Sequence, residues 1–338
     1  MAAKLADVAK HAGVSTATAS RVLNNRMVMP ISAATMDRVK RAARDLDYRP
    51  NPMARALLTG RTHALGLFSR EMGDPHFMQL LEAAESEALQ LGYHLVVSSS
   101  QGAVGGPGRV DGLLVFGAPE QQGRARRSDG FPVITVNSTL DPEPDTIGWS
   151  DAEGMYSAVR HLAELGHRRI AGLFCYGEEP HADSPKLVGF RRAVEQYGVE
   201  WRPYWRGRDP FEVHQTNQFD NGYLAAQDLL SDWQGFTGIV ARNDYIALGA
   251  LRALREAGKS VPGEVSVVGY NDSMLATCAD PPLTSIRTPI AVAGAMAVQL
   301  LVQALNGGSV EHGCTMLPVS LTVRGSTARP GSSEGQAR

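Results

Sequence analysis

The sequence predicts an α/β protein in which a small three-helix N-terminal domain precedes a two-lobed core of parallel sheets. The chain has 338 residues, about twice the usual size of a domain, so more than one hydrophobic core is expected. Basic residues are concentrated at the N-terminal end. Beyond residue 62, β-rich runs alternate with stretches of helical periodicity, which is the pattern of parallel strands joined by crossover helices.

The composition is that of a folded globular chain. Hydrophobic residues make up 43% of the sequence and charged residues 20%, which argues against a disordered or fibrous protein. The longest nearly apolar stretch, Ile290 to Leu305, is too short for a membrane span. The opening residues MAAKLADVAK contain no signal-peptide core, so we expect the protein in the cytoplasm. Cys175, Cys278 and Cys314 form no CxxC pair, and we expect no disulfide framework, metal site or cofactor.

Charge divides the chain into two parts of opposite sign. The first 62 residues hold 11 Lys and Arg, 4 Asp and no Glu, a net charge of +7, whereas the remaining residues carry −9. A basic segment attached to an acidic body is typical of a domain that contacts phosphates. A solvated helical face is the alternative explanation of the same composition.

The basic segment has the pattern of a helix-turn-helix. Apolar residues recur at helical spacing from Leu5 to Ala12. Gly13 suits the left-handed turn that follows, and Ser15 is placed to cap a second helix through the N–H of Ala17 or Thr18. The second helix of such a unit enters the major groove of DNA. We expect its core face to consist of Val14, Ala19, Val22 and Leu23, and a third helix to begin after Ser32, which caps it.

These residues resemble the lactose repressor (LacI) family of transcription regulators. The resemblance rests on LADVA from Leu5, VSTATASRVLN from Val14 and YRPNPMARALLTGRT from Tyr48. In the family, the last segment is a hinge that folds as a short helix on DNA and inserts a leucine, here Leu57, into the minor groove. Such a wedge unstacks a base step and bends the duplex. A proline-bounded linker between domains is the alternative interpretation of this segment.

The resemblance implies two sets of DNA-binding residues. The helix-turn-helix set is Ser15, Thr16, Ala17, Thr18, Ser20, Arg21 and Asn24. The hinge set is Asn51, Ala54, Arg55 and Leu57. Among these side chains, Arg21 can hydrogen-bond a base edge or a phosphate.

The acidic body resembles the effector-binding core of the same family, which is similar to periplasmic sugar-binding proteins. Its predicted strands are LGLF at Leu65, HLVVS at His94, GLLVF at Gly112, PVITV at Pro132, RIAGLF at Arg169, TGIVA at Thr237 and EVSVVGY at Glu264. Its predicted helices are Phe77 to Leu91, Ala152 to Leu165, Leu187 to Tyr197, Asn221 to Leu230, Tyr245 to Ala257 and Ile290 to Leu305. Doubly wound sheets bind ligands at the carboxyl ends of their strands.

Carried over position by position, the family's effector pocket falls on seven residues. They are Asp74, Phe77, Lys186, Asn243, Asp244, Asn271 and Thr288. Amides and carboxylates can bind sugar hydroxyls, while an aromatic face covers the apolar side of a ring. Strand-end caps and loop residues are the alternative interpretation of the set.

Two of these positions depart from the family pattern. Lys186 stands where an arginine is usual, and Asn271 stands where an aspartate is usual. A point charge and a neutral amide thus replace a planar guanidinium and an anion. The loss of an acid at position 271 favours a ligand that is less rich in hydroxyl groups, acidic or phosphorylated.

The sequence divides into a helix-turn-helix domain (1–48), a hinge (49–62), a core (63–327) and a disordered tail (328–338). The first lobe of the core is predicted at about 63–149 with 289–310, and the second at about 150–288 with 311–327. Residues 101–110 are few and rich in glycine, and the sequence leaves open whether a crossover helix is missing there.

We expect a homodimeric repressor of carbohydrate-utilisation genes that binds a pseudo-palindromic operator and responds to a sugar or sugar derivative. The tail contains no leucine heptad, which favours dimers over tetramers assembled through the tail. A sugar-binding protein without DNA function is the alternative. No GxSxG, HExxH or paired-carboxylate signature is present, so the sequence does not indicate an enzyme and suggests no catalytic residue.

Overall fold

The computed structural model describes residues 3–23, 31–48, 60–69, 72–100, 109–117, 131–138, 145–175, 184–206, 218–308 and 313–331. The chain separates into two compact units. One contains residues Met1–His63 and Gly108–Val110, and the other contains Ala64–Pro107 and Asp111–Arg338.

The first unit is built on three helices in its described residues. They are α1 (Leu5–His11), α2 (Thr16–Leu23) and α3 (Ala33–Asp45). Gly13 has a φ of +63° in the turn between α1 and α2, and the backbone N–H of Thr18 donates to Ser15 Oγ at 3.1 Å. Ser32 Oγ accepts from the backbone N–H of Thr35 at 3.3 Å and caps α3. The predicted turn and both predicted caps are therefore confirmed.

Small apolar side chains hold these three helices together. The buried set is Val8, Ala9, Ala12, Ala19, Val22, Val39, Ala42 and Ala43. Val14 and Leu23 pack against this cluster. The predicted core face of α2 is confirmed, which leaves the opposite face of that helix exposed.

The second unit contains two sheets, each of six strands in the described residues. The first sheet has the order β11-β5-β4-β3-β1-β2, and all of its pairs are parallel. Its strands are β1 (Ala64–Phe68), β2 (His94–Ser98), β3 (Gly112–Phe116), β4 (Val133–Ser138), β5 (Thr146–Trp149) and β11 (Cys314–Leu317). One face packs on α4 (Pro75–Gln90) and α10 (Ile290–Leu305).

The second sheet has the order β12-β10-β9-β8-β6-β7 and is parallel except at β12. Its strands are β6 (Arg169–Cys175), β7 (Glu200–Arg206), β8 (Gly238–Ala241), β9 (Ser266–Asn271), β10 (Thr284–Arg287) and β12 (Ser320–Thr322). Helices α5 (Asp151–Leu165) and α6 (Pro185–Tyr197) cover one face. Helices α7 (Gln218–Asp232) and α8 (Asp244–Glu256) cover the other, and α9 (Met274–Cys278) lies near α8.

The chain passes between the two sheets three times. The passages follow β5, β10 and β11. Because β11 pairs with β5, residues 314–317 belong to the first lobe, and the prediction that 311–327 lie wholly in the second lobe was wrong. Whether a crossover helix is missing near 101–110 stays open, because residues 101–108 lie outside the described part of the chain.

The second lobe also holds the beginning of the predicted tail. Ala328 donates its backbone N–H to Ser266 Oγ at 3.0 Å, and its carbonyl lies 2.9 Å from His167 Nε2. Residues 328–331 are therefore part of the fold, since paired backbone groups fix the chain. Among the described residues, no helix has the length and apolar composition to cross a membrane.

Helices α5 and α6 approach closely at Gly189. A Cβ added there would overlap the backbone carbonyl of Ala152 at the start of α5. Gly189 is buried in α6, so the backbone itself forms the contact and neither helix can move away without disturbing the core.

Gly189→Ala should lower the free energy of unfolding by about 1–3 kcal/mol, because the added methyl group overpacks the contact between α5 and α6. Urea unfolding followed by circular dichroism measures the change. Gly73→Ala is the matched control, since a Cβ at Gly73 would have no neighbour within 4 Å. Equal stabilities of the two variants would contradict the proposed contact.

Asp244 stabilises the interior of the second lobe. Its Oδ2 accepts from the backbone N–H and the hydroxyl of Ser273 at 2.7 and 2.8 Å, and its Oδ1 accepts from the hydroxyl of Ser285 at 2.6 Å. Burial raises the pKa of this carboxyl to about 6, against the opposing effect of the three hydrogen bonds. The carboxylate is thus engaged by hydrogen bonds within the lobe, and its assignment to the ligand stays a prediction.

The raised pKa of Asp244 makes stability depend on pH. The folded state holds this proton more tightly than the unfolded state, whose carboxyl has a pKa of 3.8, so the contribution to stability is present below pH 4 and is lost as the pH rises through 6. A shift of about two pKa units corresponds to about 3 kcal/mol. Relative to Asp244→Asn, the wild-type chain should therefore lose about 2 kcal/mol of unfolding free energy between pH 4 and pH 7.

Urea titrations at several pH values test this dependence. Glu195→Gln, a change at an exposed position on α6, is the control and should show no comparable difference. A wild-type curve parallel to that of Asp244→Asn would exclude a shifted pKa at this position.

Candidate nucleic-acid interface and ligand cleft

The N-terminal half of α2 presents a polar surface. Ser15, Thr16, Ala17 and Arg21 are exposed, while Ala19 on the opposite face is buried. Ser15 Oγ and Thr18 Oγ1 lie 2.9 Å apart, so these two hydroxyls order the first turn of the helix. Thr18 and Ser20 are partly buried at the edges of the exposed surface.

Basic residues on α3 add positive charge to the same unit. Arg38, Lys40, Arg41 and Arg44 are all exposed. Their side chains extend from a helix whose other face is buried against α1 and α2. The unit thus combines an exposed helix of small polar residues with exposed cations, which is the combination that reads base edges and contacts phosphates.

Five of the predicted DNA-binding residues lie outside the described residues. They are Asn24, Asn51, Ala54, Arg55 and Leu57. Their roles stay predictions of the sequence resemblance.

In the second unit, polar residues follow the carboxyl ends of strands in both sheets. Asp74 caps α4 after β1, and its Oδ1 accepts from the backbone N–H of His76 at 2.8 Å. Asn243 caps α8 after β8, and its Oδ1 accepts from the backbone N–H of Ile246 at 3.0 Å. Asn271 ends β9, and Thr288 follows β10. This is the edge at which parallel sheets bind ligands.

The carboxylate of Asp151 connects the two sheets at the first passage of the chain. Its Oδ1 accepts from the indole N–H of Trp149, on the first sheet, at 3.0 Å and from the hydroxyl of Tyr270, on the second sheet, at 2.8 Å. Its Oδ2 lies 3.9 Å from Lys186 Nζ. Burial and the neighbouring Asp151 carboxylate raise the pKa of Tyr270 well above its usual range, so its hydroxyl keeps the proton that it donates.

Lys186 is held within the same cluster. Its side chain is 9% exposed, and its Nζ lies 3.9 Å from the centre of the Tyr270 ring. The Nζ also donates to the carbonyl oxygen of Arg242 at 3.0 Å. The lysine that replaces the usual arginine therefore already has three partners inside the protein, a carboxylate, an aromatic face and a carbonyl.

His76 joins the first lobe to the second passage of the chain. Its Nε2 lies 2.6 Å from Thr288 Oγ1, and its ring contacts the Trp149 and Phe116 rings edge to face, with centroids 5.9 and 6.2 Å apart. Burial and the charge of Lys186 lower the pKa of His76 to about 3. The imidazole is therefore neutral near pH 7, and one of its nitrogens can act as an acceptor.

Charged groups of the two lobes face each other near Asp74. Burial raises the pKa of Asp74, while the charges of Lys186 and Arg242 oppose that rise. Burial and the Asp74 charge raise the pKa of Tyr245. An acid of the first lobe thus lies within electrostatic range of cations and a phenol of the second lobe.

A cleft of about 320 Å³ lies between residues of the two lobes. It is lined by Gln79, Asn271, Asp272, Arg287, Thr288, Pro289, Ala291, Val292, Pro318 and Ser320. Asn271 and Asp272 both have positive φ, at 99° and 51°, so the chain turns sharply at the end of β9. Left-handed residues other than glycine are uncommon and concentrate at functional sites.

The structure places two of the seven predicted effector residues in the lining of this cleft. Asn271 and Thr288 line the cleft, and Asp74 and Lys186 lie within electrostatic range of each other. Asn243 is 3% exposed, and its Nδ2 donates to Gln218 Oε1. Phe77 is 1% exposed in the core of the first lobe, with its ring 5.8 Å from that of Phe116.

Sequence reasoning missed several residues of the site. They are His76, Trp149, Asp151, Arg242, Tyr270 and Arg287. For Trp149 and Asp151 a signal existed, because a short apolar run ends there in a serine and an acid that can begin a helix. Nothing in the sequence indicates that Asp151 meets Tyr270, which lies 119 residues further along the chain.

Comparisons with known proteins agree with this architecture. The family model of bacterial regulatory proteins of the lacI family matches residues 4–51, and that of the periplasmic binding protein-like domain matches residues 159–327. The HTH-type transcriptional repressor PurR of Pectobacterium atrosepticum is 32% identical over 317 residues, or 90% of each chain. The HTH-type transcriptional repressor CytR of Escherichia coli K12 is 30% identical over an alignment of 338 residues, which covers 96% of each chain.

A solved structure extends the likeness to three dimensions. The Lac repressor dimer bound to operator and the anti-inducer ONPF matches with a TM-score of 0.82 and 30% sequence identity, over 97% of this chain and all of that one. Both the helix-turn-helix and the two-lobed core thus have counterparts in one polypeptide. The chain belongs to the LacI family of bacterial regulatory proteins.

Proposed function

We propose that the protein is a ligand-responsive transcriptional repressor that binds a pseudo-palindromic operator as a homodimer. The observation that carries the proposal is the exposed polar face of α2, which bears Thr16, Ala17 and Arg21 over a packed three-helix core. Two such units related by two-fold symmetry would read two half-sites of an operator. A repressor that binds the bacterial chromosome would act in the cytoplasm. The repressor names of the relatives PurR and CytR support the proposal.

The effector would bind in the cleft between the lobes. Residues of both lobes meet there, so a ligand can stabilise one relative position of the lobes over another. That preference would reach the DNA through the packing of the first lobes and through the hinge, as a coupling free energy of about 1–3 kcal/mol. We propose a sugar or sugar derivative as effector and carbohydrate-utilisation genes as targets, since strand-end amides and hydroxyls suit such ligands.

A sugar-binding protein without DNA function is the second candidate, because the cleft alone would support it. Selection of genomic DNA fragments with the purified chain, at near-physiological salt, distinguishes the two. Recovery of a palindromic sequence supports the regulator. Recovery of unrelated fragments only, with and without sugars, would favour the second candidate.

Arg21→Ala should abolish specific operator binding. Loss of a base contact costs about 1–3 kcal/mol at each half-site, and a dimer loses two. Fluorescence anisotropy with operator and with scrambled DNA measures the specificity ratio. Arg160→Ala, at an ion-paired arginine on α5, is the control and should bind as the wild type does. An unchanged ratio in Arg21→Ala would refute the assignment of α2 as the reading helix.

Leu57→Ala should weaken operator binding and reduce the bend of the bound DNA, because a methyl group cannot hold a base step open. Energy transfer between dyes at the ends of the operator reports the bend. Leu58→Ala provides the control at the neighbouring leucine and should leave the bend unchanged. The hinge assignment fails if both variants bend DNA as the wild type does.

A further inference from the structure

The last part of the described chain folds back onto the second lobe as a C-terminal strap (Val323–Gly331). Ser326 is fully buried in the inner half of this strap. The Ser326 hydroxyl donates to the carbonyl oxygen of Val267 at 2.6 Å and accepts from the backbone N–H of Thr284 at 2.8 Å. Its carbonyl oxygen accepts from the backbone N–H of Val267 at 2.8 Å. Since backbone and hydroxyl groups do not titrate near neutral pH, this attachment to β9 and β10 is independent of pH.

Two histidines attach the outer half of the strap. His167 is buried, with its Nε2 2.9 Å from the carbonyl oxygen of Ala328 and its Nδ1 2.9 Å from Thr237 Oγ1. Because a carbonyl oxygen can only accept, Nε2 carries the proton of the neutral ring, and Nδ1 accepts from the Thr237 hydroxyl. The neutral ring therefore satisfies both of its nitrogens. A proton added at Nδ1 would turn this acceptor into a second donor.

His161, near the end of α5, contacts the adjacent strap residue. Its Nε2 lies 3.0 Å from Thr327 Oγ1, which lies 3.0 Å from Thr284 Oγ1. The Thr284 hydroxyl oxygen accepts from the backbone N–H of Arg324 at 2.9 Å. Arg324 Nη2 in turn lies 2.6 Å from a carboxylate oxygen of Asp272, which lines the cleft. Polar contacts thus connect the histidine to the wall of the cleft.

The surroundings of His167 disfavour a second proton. Burial lowers its pKa most, and the charges of His161 and Arg168 lower it further, while the hydrogen bond to the Ala328 carbonyl opposes the shift. Arg329, the next residue of the strap, is exposed and adds another positive charge. These neighbours are cations or can become cations, so they repel an added proton.

His161 is also disfavoured as a cation. Burial lowers its pKa, and the carboxylate of Glu164 on the same helix opposes that effect. Glu164 is shared with Arg160, whose Nε lies 3.9 Å from Glu164 Oε1. The strap residue that faces the ring, Thr327, is neutral. A proton on His161 further disfavours a proton on His167, because the two charges repel each other.

These lowered pKa values make the closed strap sensitive to acid. Histidines under an open, hydrated strap titrate at the ordinary pKa of 6.5, above their pKa in the closed strap. The open state therefore binds more protons than the closed state. The stability that the two rings give the closed strap is present above pH 6.5 and is lost as the pH falls below it. This dependence is opposite in sign to that of Asp244.

We propose that the C-terminal strap is an acid-sensitive clasp, which opens when His161 and His167 are protonated and then withdraws support from Asp272 in the wall of the cleft. The geometry that carries the proposal is the pair of histidines bonded to consecutive strap residues, Thr327 and Ala328. The clasp goes beyond the proposed function and does not depend on DNA binding. Acidification would change the cleft through the strap, whichever ligand the cleft binds.

Hydrogen–deuterium exchange of the full chain at pH 7 and pH 5, without ligand and read by mass spectrometry, tests the clasp. Rates are corrected for the intrinsic dependence of amide exchange on pH. The reference is α10, whose residues IAVAGAMAVQLLVQAL contain no titratable side chain. Relative to α10, the opening constant of the strap should rise at least about tenfold from pH 7 to pH 5. Residues 270–274 should lose protection together with the strap.

Glutamine variants test whether the two histidines are the groups that titrate. A glutamine amide can donate to the same strap oxygen but does not bind a proton in this range. His161→Gln should show a smaller rise than the wild type, and the double variant with His167→Gln should show none. His161 is only partly buried, so its single variant decides the matter if the change at buried His167 prevents folding. His94→Gln, at an exposed position of β2, is the control and should keep the wild-type rise.

Three results would overturn the proposal. The first is equal acid dependence of exchange in the strap and in α10. The second is a wild-type rise in His161→Gln or in the double variant. The third is a strap that opens in acid while residues 270–274 keep their protection, because the strap would then not support the cleft.

Discussion

The arrangement of the two lobes depends on one buried carboxylate. Asp151 is the first residue of α5 and lies two residues after the end of β5. Strand β5 is the last strand of the first sheet before the chain enters the second lobe. It accepts hydrogen bonds from Trp149 in one sheet and Tyr270 in the other, and it lies beside Lys186. A buried charge with such partners is costly to separate from them, because removal of one partner leaves the others unsatisfied. The carboxylate is thus a fixed point between the two sheets at the first passage of the chain.

The other two passages of the chain bring the remaining functional groups to this fixed point. The second carries Thr288, which meets His76, and begins α10 with its uncapped first turn. The third leads to Thr322 and Arg324, which hold Asp272 and so shape the turn after Asn271. Ligand recognition and lobe position therefore involve the same short segments. A ligand bound at these segments could change the position of the first lobe. That lobe follows the hinge directly in the sequence.

The sequence predicted the elements with strong periodicity and missed elements and contacts that have no local signal. The helix from Ile290 to Leu305 was predicted with its observed ends, because its apolar residues are nearly continuous. Strand β7 was missed, since Pro203 argues against a strand, and the structure places it at the edge of its sheet, where a proline is tolerated. The resemblance assigned Asp244 to the ligand, yet its carboxylate is engaged by Ser273 and Ser285. The local sequence around an acidic residue does not show whether its carboxylate faces a cleft or accepts hydrogen bonds from serines elsewhere in the same lobe.

The most direct test of the central role of Asp151 is the distance between the lobes. Pulsed electron paramagnetic resonance can measure it between spin labels at the exposed positions Gln90 and Ala257, in a background whose cysteines are replaced by serine. The wild-type chain should give one narrow distribution, and Asp151→Ala should broaden or shift it, whereas Glu153→Ala in the same helical turn should not. Identical distributions in all three proteins would contradict the account, because the lobes would then be held in place without the carboxylate.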